Sequence, residues 1–144
     1  MNGKQPENVV LTGIEEPKPA TGCALVIDDE EAIREYLRYV LQSEGYEVTT
    51  ASDGNEGMRK FHAGGYDTVV TDISMPEKDG IEAIIEMRRL YPAVPIVAIS
   101  GLDSRERLLR IAGMFEADAM LKKPFTRDEL LAAVREARQK RISE

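Results

Sequence analysis

Short apolar runs alternate with helix-like segments over most of the chain. Most runs are rich in β-branched residues and lack polar alternation, which is typical of strands buried on both faces. After each run, apolar residues recur three or four positions apart, which predicts an amphipathic helix. Repeated strand–helix units of this kind predict an α/β protein, with a doubly wound parallel sheet covered by helices on both faces. The predicted strands are Cys23–Ile27, Glu47–Ala51, Thr68–Thr71, Pro95–Ile99 and Ala119–Leu121.

The apolar positions between the strands mark the inner faces of the predicted helices. Thr126 and Glu129 form a capping-box pattern at the start of the last helix. Residues 1–21 are rich in proline, glycine and charge, and we expect them to form a flexible N-terminal tail before a single folded domain over residues 22–144. In chain order, the inner-face residues are Ile33, Leu37, Val40 and Leu41; Met58 and Phe61; Ile81, Ile84, Ile85 and Leu90; Leu108, Leu109 and Ala112; and Leu130, Leu131 and Val134.

The composition is that of a globular domain with an acidic balance. Of the 144 residues, 42% are hydrophobic and 31% are charged, which suits a chain that buries one core. The formal charge is −7, from 26 acidic and 19 basic residues, and argues against a nucleic-acid-binding face. The basic cluster Arg88–Arg89 is interpreted either as a solvated helix face or as a contact for an acidic partner. Arg138–Arg141 is interpreted as a complement to a helix C-terminus.

Cysteine content and hydropathy limit the compartment. The single cysteine, Cys23, rules out an intramolecular disulfide framework. We find neither an apolar run of membrane-spanning length nor the apolar segment of a secretory signal peptide. A cytoplasmic protein is therefore expected.

Polar residues follow the ends of four of the predicted strands. Asp28–Glu30 follows the first strand and Asp72 the third. Ser100 follows the fourth strand and Lys122–Pro124 the fifth. The carboxyl ends of parallel strands meet at one edge of a sheet, and such sheets bind their ligands there. We therefore expect these side chains to surround one site.

The acids at this edge predict a cation site. If the first and third strands are neighbours, Asp28 or Asp29 approaches Asp72 to about 5 Å. Two carboxylates at that distance repel by about 3 kcal/mol at an effective dielectric constant of about 20. A bound cation would relieve this repulsion. A small set of oxygen ligands favours Mg²⁺ over a closed Ca²⁺ site, and the lack of accompanying cysteine or histidine argues against zinc.

Each of these residues also has a simpler interpretation. The acids after the first strand are typical of a helix N-terminus, Asp72 alone is typical of a turn, and Lys123 alone of a solvated surface. Their combination at one edge favours phosphoryl transfer, because a divalent ion, Lys123 and the Ser100 hydroxyl would neutralise the phosphoryl oxygens. Asp72, on the central strand, would be the nucleophile and form an aspartyl-phosphate.

Several short motifs resemble the receiver domain of two-component response regulators. The resemblance covers residues 23–140 and implies a flavodoxin-like (βα)5 fold, a five-stranded sheet with strand order 2-1-3-4-5. It also implies a phosphorylation-activated signalling switch rather than an enzyme. The motifs are Val26-Ile27-Asp28-Asp29-Glu30, Thr71-Asp72-Ile73-Ser74-Met75-Pro76, Asp79-Gly80, Ser100-Gly101 and Lys123-Pro124-Phe125.

The resemblance implies a role for each matching residue. Asp72 would accept a phosphoryl group from a phosphohistidine on a sensor histidine kinase or a histidine phosphotransfer protein. Asp29 and Asp72 would bind Mg²⁺ together with the backbone carbonyl of Ser74, and Asp28 would act mainly through a bound water. Lys123 would pair first with Asp72 and then with the phosphoryl group.

Two further positions would respond to phosphorylation. The Ser100 hydroxyl would move onto the phosphoryl group and pull the loop that follows it. Met120 stands where the family often has tyrosine or phenylalanine, so a methionine rotamer change would replace the movement of an aromatic ring. The bond between Lys123 and Pro124 is often cis in this family, which would turn the ammonium inward.

The expected output is a protein contact. No output domain follows the last predicted helix, so we expect a separate protein to read the switch. The expected surface combines the fourth predicted helix, the fifth strand and the last helix. The sequence leaves homodimer formation open, and neither direct nucleic-acid binding nor membrane binding is expected.

Three other functions stay open at this point. A phosphatase or phosphotransferase also forms an aspartyl-phosphate, but its nucleophile usually ends the first strand with a second acid two residues later. In this chain Glu30 stands two residues after Asp28. A flavin-binding module has the same fold, but the acids after the first strand would repel the flavin phosphate. The third is a receiver-shaped scaffold that binds partners without phosphorylation, which the departure at Met120 keeps open.

Overall fold

The computed structural model describes residues 22–73, 80–101 and 116–142. Every predicted strand is present, and its ends differ from the prediction by one residue at most. Among the described residues, no helix is long and apolar enough to cross a membrane. The strands are β1 (Gly22–Ile27), β2 (Tyr46–Ala51), β3 (Thr68–Asp72), β4 (Ile96–Ser100) and β5 (Ala119–Lys122). The described helices are α1 (Glu31–Ser43), α2 (Gly54–Ala63), α3 (Gly80–Leu90) and the C-terminal helix α4 (Arg127–Ile142).

The strands form one parallel sheet in the order β2-β1-β3-β4-β5. This order confirms the predicted doubly wound, flavodoxin-like fold. Ile27 of β1 pairs with Thr71 of β3, and Asp72 of β3 pairs with Ile99 of β4. The carboxyl ends of the central strands therefore lie side by side along one edge.

The sheet has an apolar layer on each face, because alternate residues of its strands point to opposite sides. Ala24 and Val26 belong to the layer packed against α1 and the C-terminal helix, and Leu25 and Ile27 to the layer packed against α2 and α3. Both faces of the sheet are therefore covered by apolar side chains. The helices contribute Leu37, Val40, Leu41, Leu130 and Val134 to the first layer, and Met58, Phe61, Ala83, Ile84 and Met87 to the second.

The predicted inner face of α3 is partly wrong. Ile84 is buried, but Ile85 and Leu90 are each 43% exposed. Ala83 and Met87 complete the buried face instead. Met87 lies three positions after Ile84 and four after Ala83, so the helical period was predicted correctly but two of the residues on the buried face were not.

Some predictions fall outside the described residues. They concern the tail over residues 1–21, the backbone carbonyl of Ser74, and the fourth predicted helix with Leu108, Leu109 and Ala112. That helix forms part of the expected output surface. These points stay predictions.

A buried cluster of charges at the amino-terminal edge of the sheet corrects the interpretation of one arginine and adds a contact to another. The Asp118 carboxylate is buried and accepts hydrogen bonds from Arg88 at 2.8 Å, from Arg141 at 2.7 Å and from the backbone N–H of Ile96 at 2.8 Å. Arg88 is therefore not a solvated side chain. Arg141, in the last turn of the C-terminal helix as predicted, also ties the end of that helix to Asp118 at the start of β5.

The start of α2 combines two local hydrogen bonds with an ion pair. Asp53 accepts from the backbone N–H of Glu56 at 2.8 Å, and Glu56 accepts from the backbone N–H of Ser52 at 2.7 Å. Lys60 Nζ lies 3.1 Å from the Glu56 carboxylate. The bond from Ser52, followed by that from Lys60, lowers the pKa of Glu56 from 4.5 to about 2. Because the folded-state pKa lies below the unfolded value, this stabilisation is present above pH 4.5 and is lost as the pH falls toward 2.

Replacing Glu56 should therefore destabilise the protein in a pH-dependent way. We expect Glu56→Gln to lower the free energy of unfolding by about 1 kcal/mol at neutral pH, as loss of a helix-capping contact typically does. The difference from the parent protein should vanish near pH 2. Urea unfolding followed by circular dichroism measures both values, and Glu136→Gln, at an exposed position of the C-terminal helix, is the control. A difference that persists unchanged in acid would contradict this account.

Candidate functional site

The carboxylates of Asp28, Asp29 and Asp72 form an acidic cluster at the carboxyl edge of β1 and β3. One oxygen of each lies within 4.8 Å of the others. The register explains this proximity, since Ile27 pairs with Thr71 and the acids are the residues that follow each of them. Asp28 and Asp72 are buried and Asp29 is exposed. The approach of the acids predicted from the strand ends is therefore observed.

Asp28 holds the turn that follows β1. Its backbone N–H donates to the carbonyl of Ala51 at 3.1 Å, its Oδ1 accepts from the backbone N–H of Glu30 at 2.9 Å, and its carbonyl accepts from Arg34 at 2.7 Å. Its Oδ2 is buried and has no hydrogen-bond partner within the described residues. Burial raises the pKa of Asp28 above its usual range, although the Glu30 hydrogen bond and the charge of Lys123 act in the opposite direction.

The capping interpretation of the acids explains only part of this turn. Glu30 occupies the N-cap position of α1, but its side chain makes no capping hydrogen bond. Its carboxylate instead accepts a hydrogen bond from Lys123 Nζ at 2.6 Å. The side chain of Glu30 therefore serves the site rather than the helix terminus.

The Lys123 ammonium lies among the carboxylates. In addition to Glu30, its Nζ donates to Asp72 Oδ2 at 3.1 Å and lies 3.3 Å from Asp28 Oδ2. Burial opposes the charged form, but the hydrogen bond to Glu30 and the charges of Asp72 and Asp28 outweigh it and raise the pKa of Lys123 above its usual value. The lysine is therefore a fixed positive charge in this site.

Ser100 ends β4 beside Lys123. Its backbone carbonyl accepts from the Lys123 N–H at 2.8 Å, and the peptide bond between Lys123 and Pro124 is cis, as the resemblance implies. The Ser100 side chain is buried, and its Oγ has no hydrogen-bond partner in the part of the chain that the structure describes. A buried hydroxyl of this kind is a donor available to a group that enters the site.

Of the other two predicted site residues, Met120 is described by the structure and Ser74 is not. Met120 pairs with Ala98 of β4 and packs, half-buried, against the apolar layer of α2 and α3. Ser74 lies outside the described residues. Their roles stay predictions.

Sequence reasoning missed two residues of the site. Glu30 was assigned no role of its own within the acidic run, although its side chain makes the shortest contact of Lys123 described above, 2.6 Å. Arg34 was not considered, although it stands one helical turn after Glu30 and so returns to the same turn of chain. The contact of Arg34 could have been predicted from its spacing of four residues from Glu30. The contact of Glu30 with Lys123, 93 positions away in the chain, could not.

The acidic cluster fits a hard divalent cation. Its donors are carboxylate oxygens without histidine or cysteine, which suits Mg²⁺ with several retained waters. The buried Asp28 Oδ2, which lacks a hydrogen bond among the described residues, is an acceptor suited to a cation or its water. Lys123 offsets part of the negative charge but not all of it, because several carboxylates share one ammonium.

The chain belongs to the response regulator receiver domain family. Residues 24–135 match the model of that family. Its members are phosphoacceptor domains that work as phosphorylation-dependent switches in two-component signalling. The family indicated by the motifs at the strand ends is thereby confirmed.

Curated relatives of this chain are response regulators. Response regulator MprA of Mycolicibacterium vanbaalenii is 40% identical over 112 residues, which cover 77% of this chain and 48% of MprA. The alkaline phosphatase synthesis transcriptional regulatory protein PhoP of Bacillus subtilis is 38% identical over 112 residues, which cover 77% of this chain and 46% of PhoP. The chain thus spans about half the length of these relatives.

Solved receiver domains have the same fold. A response regulator receiver domain protein from Clostridium thermocellum gives a TM-score of 0.75 at 30% identity, with 85% of this chain and 98% of that chain covered. Response regulator protein TrrA from Thermotoga maritima, solved in complex with Mg²⁺ and BeF, gives a TM-score of 0.72 at 38% identity, with 81% and 99% covered. Both match nearly their whole length to the domain described here.

Loss of the Lys123 ammonium should destabilise the fold. Removing one partner of a buried ion pair leaves the other charge uncompensated, and we expect Lys123→Met to lower the free energy of unfolding by about 2–4 kcal/mol near pH 8 without divalent ions. The loss should shrink in acid, where the carboxylates become protonated. Urea unfolding measures both values.

Lys122→Met is the matched control for this prediction. Lys122 is the preceding residue and is exposed, so its loss should change stability by less than about 0.5 kcal/mol. Equal effects of the two substitutions would show that Lys123 does not stabilise the buried acids.

Proposed function

We propose that Asp72 is the phosphoacceptor and that it receives a phosphoryl group from a phosphohistidine. The observation that carries this proposal is the acidic cluster with Lys123 Nζ beside it, 3.1 Å from Asp72 Oδ2. Asp72 ends the central strand β3, so its carboxylate has the Asp28 turn on one side and the end of β4 on the other. A nucleophile, a cation site and a fixed ammonium are the groups that phosphoryl transfer requires.

In the proposed reaction, a carboxylate oxygen of Asp72 attacks the phosphorus of the phosphohistidine. The O–P bond forms as the P–N bond breaks, and the imidazole nitrogen leaves with the electron pair of that bond. Later attack by water on phosphorus breaks the O–P bond, restores the carboxylate and releases inorganic phosphate. The domain is accordingly proposed to be an acceptor whose only catalysis is its own phosphorylation and slow dephosphorylation.

Lys123 and Ser100 are proposed to stabilise the charge on the transferred group. Lys123 Nζ, already within hydrogen-bond distance of Asp72, would donate to one phosphoryl oxygen. The buried Ser100 hydroxyl, for which no partner is found among the described residues, would donate to another. Donors that are in place before the reaction are more effective than donors that must first be desolvated.

Asp29 and Asp72 are proposed to ligate Mg²⁺, with the backbone carbonyl of Ser74 as a further ligand and Asp28 acting through a water. When bound, the ion would neutralise charge on the phosphoryl oxygens. The composition of the acidic cluster supports this assignment. The relative TrrA, solved with Mg²⁺ and BeF, supports the same chemistry for this chain.

The proposed donor is a sensor histidine kinase or a histidine phosphotransfer protein, as in two-component signalling. The proposed downstream partner is a protein that binds a surface formed by the fourth predicted helix, β5 and the C-terminal helix. Movement of Ser100 and Met120 would change the shape of this surface. A homodimer and a cytoplasmic location complete the proposal.

Phosphorylation should depend on one side chain. We expect incubation with Mg²⁺ and a small phosphodonor such as acetyl phosphate to add a single phosphoryl group, and we expect Asp72→Asn to abolish the adduct. Intact-mass spectrometry measures it, and Asp128→Asn, an exposed aspartate at the start of the C-terminal helix, is the control. An unmodified parent protein would favour the scaffold interpretation instead.

Mg²⁺ binding should depend on the exposed member of the acidic cluster. Asp29→Asn removes a proposed ligand without burying an unpaired group, so we expect roughly tenfold or greater weakening of Mg²⁺ binding with little change in stability. Isothermal titration calorimetry measures the affinity, and Asp67→Asn, outside the cluster, is the control. Equal affinity of the Asp29 variant and the parent would remove this residue from the ligand set.

A further inference from the structure

Glu30 contacts Lys123 but has no part in the proposed transfer. Its carboxylate lies 2.6 Å from Lys123 Nζ, against 3.1 Å for Asp72 and 3.3 Å for Asp28. Its side chain is 60% exposed, whereas those of Asp28 and Asp72 are 0% and 5% exposed. The closest of these three contacts of the ammonium is therefore also the one that solvent reaches.

The number of donors on the ammonium makes this contact consequential. A lysine ammonium has three N–H donors, and three carboxylates surround this one. Two of these N–H groups form hydrogen bonds, to Glu30 and to Asp72, and Asp28 Oδ2 lies 3.3 Å away without one. As the Asp72 contact passes to the phosphoryl oxygen, the attraction of Glu30 would oppose any shift of the ammonium toward the phosphoryl group. Removing the ammonium from Asp28 would leave a buried charge without compensation, whereas water can hydrate Glu30 after release.

We propose that Glu30 is a positioning residue that holds the Lys123 ammonium in the unphosphorylated protein and competes with the phosphoryl group for it. This inference rests on the proposed role of Asp72 as acceptor. The free energy needed to separate Lys123 from Glu30 then contributes to the free-energy difference between the unphosphorylated and the phosphorylated domain. Glu30 lowers the affinity of the site for a phosphoryl group relative to a neutral side chain at the same position.

Beryllofluoride, a stand-in for a phosphoryl group on a carboxylate, provides the test. We expect Glu30→Gln to bind beryllofluoride about two- to fivefold more tightly than the control at saturating Mg²⁺, a range that corresponds to an exposed ion pair. Binding of Mg²⁺ alone should not become tighter, because the substitution removes negative charge near the cation site. Titrations followed by nuclear magnetic resonance measure both affinities.

Glu31→Gln is the matched control. Glu31 is the next residue, lies exposed in the first turn of α1, and has no ion pair among the described residues. It therefore reports the effect of removing one negative charge from this turn. Glu30→Asp is the second variant, because it keeps the charge but shortens the reach to Lys123, and we expect it to behave like Glu30→Gln.

The possible outcomes separate the two proposals. If the parent protein does not bind beryllofluoride with Mg²⁺, the proposed function fails and this inference fails with it. If the parent binds but Glu30→Gln equals or falls below Glu31→Gln, the role of Glu30 alone is overturned. The role is also overturned if Glu30→Asp matches the parent, since charge without contact would then suffice. Tighter binding by both Glu30 variants supports it.

Discussion

The site depends on one ammonium placed among buried carboxylates. Asp28 and Asp72 are almost fully buried, and two carboxylates about 5 Å apart repel by about 3 kcal/mol at an effective dielectric constant of about 20. That is a large fraction of the about 5–15 kcal/mol that stabilises a typical domain. Lys123 offsets this cost because its backbone is bonded to the end of β4 while its Nζ lies within 3.3 Å of both acids. Lys123 therefore offsets part of the repulsion that holding these acids close together creates.

The architecture explains why the charges are gathered at this edge. Both faces of the sheet are covered by apolar layers, so polar side chains on the central strands can avoid the core only at the strand ends. The register then sets their spacing, since Ile27 pairs with Thr71 and Ser100 pairs with Lys122. Residues that are 51 positions apart in the chain, Asp72 and Lys123, meet in this way. The same pairing that buries the core therefore assembles the site.

The sequence predicted the features that depend on strand pairing better than those that depend on individual side chains. The strands, their order and the approach of Asp28 to Asp72 could be predicted, because apolar periodicity and the resemblance determine them together. Contacts that depend on side-chain reach could not. The salt bridge of Glu30 to Lys123 joins residues 93 positions apart in the chain. The sequence also does not distinguish an arginine that is solvated from one that is paired with a buried acid, as Arg88 is with Asp118. Residue size was also misleading on α3, where the small Ala83 is buried and the larger Ile85 and Leu90 are each 43% exposed.

Charge balance then suggests how such a site works as a switch. An aspartyl-phosphate would carry about two negative charges where the carboxylate carried one, by analogy with other phosphorylated side chains, so the proposed modification increases the demand for donors and cations. Lys123 already shares its N–H groups among acids, and only contacts exposed to water can be released without leaving a buried charge. The remaining demand falls on a bound cation and on the Ser100 hydroxyl, whose residue ends β4 and bonds to the Lys123 backbone. In the proposed mechanism, movement of the ends of β4 and β5 would compensate the added charge, and the electrostatic requirement at Asp72 would become a change of shape at that side of the domain.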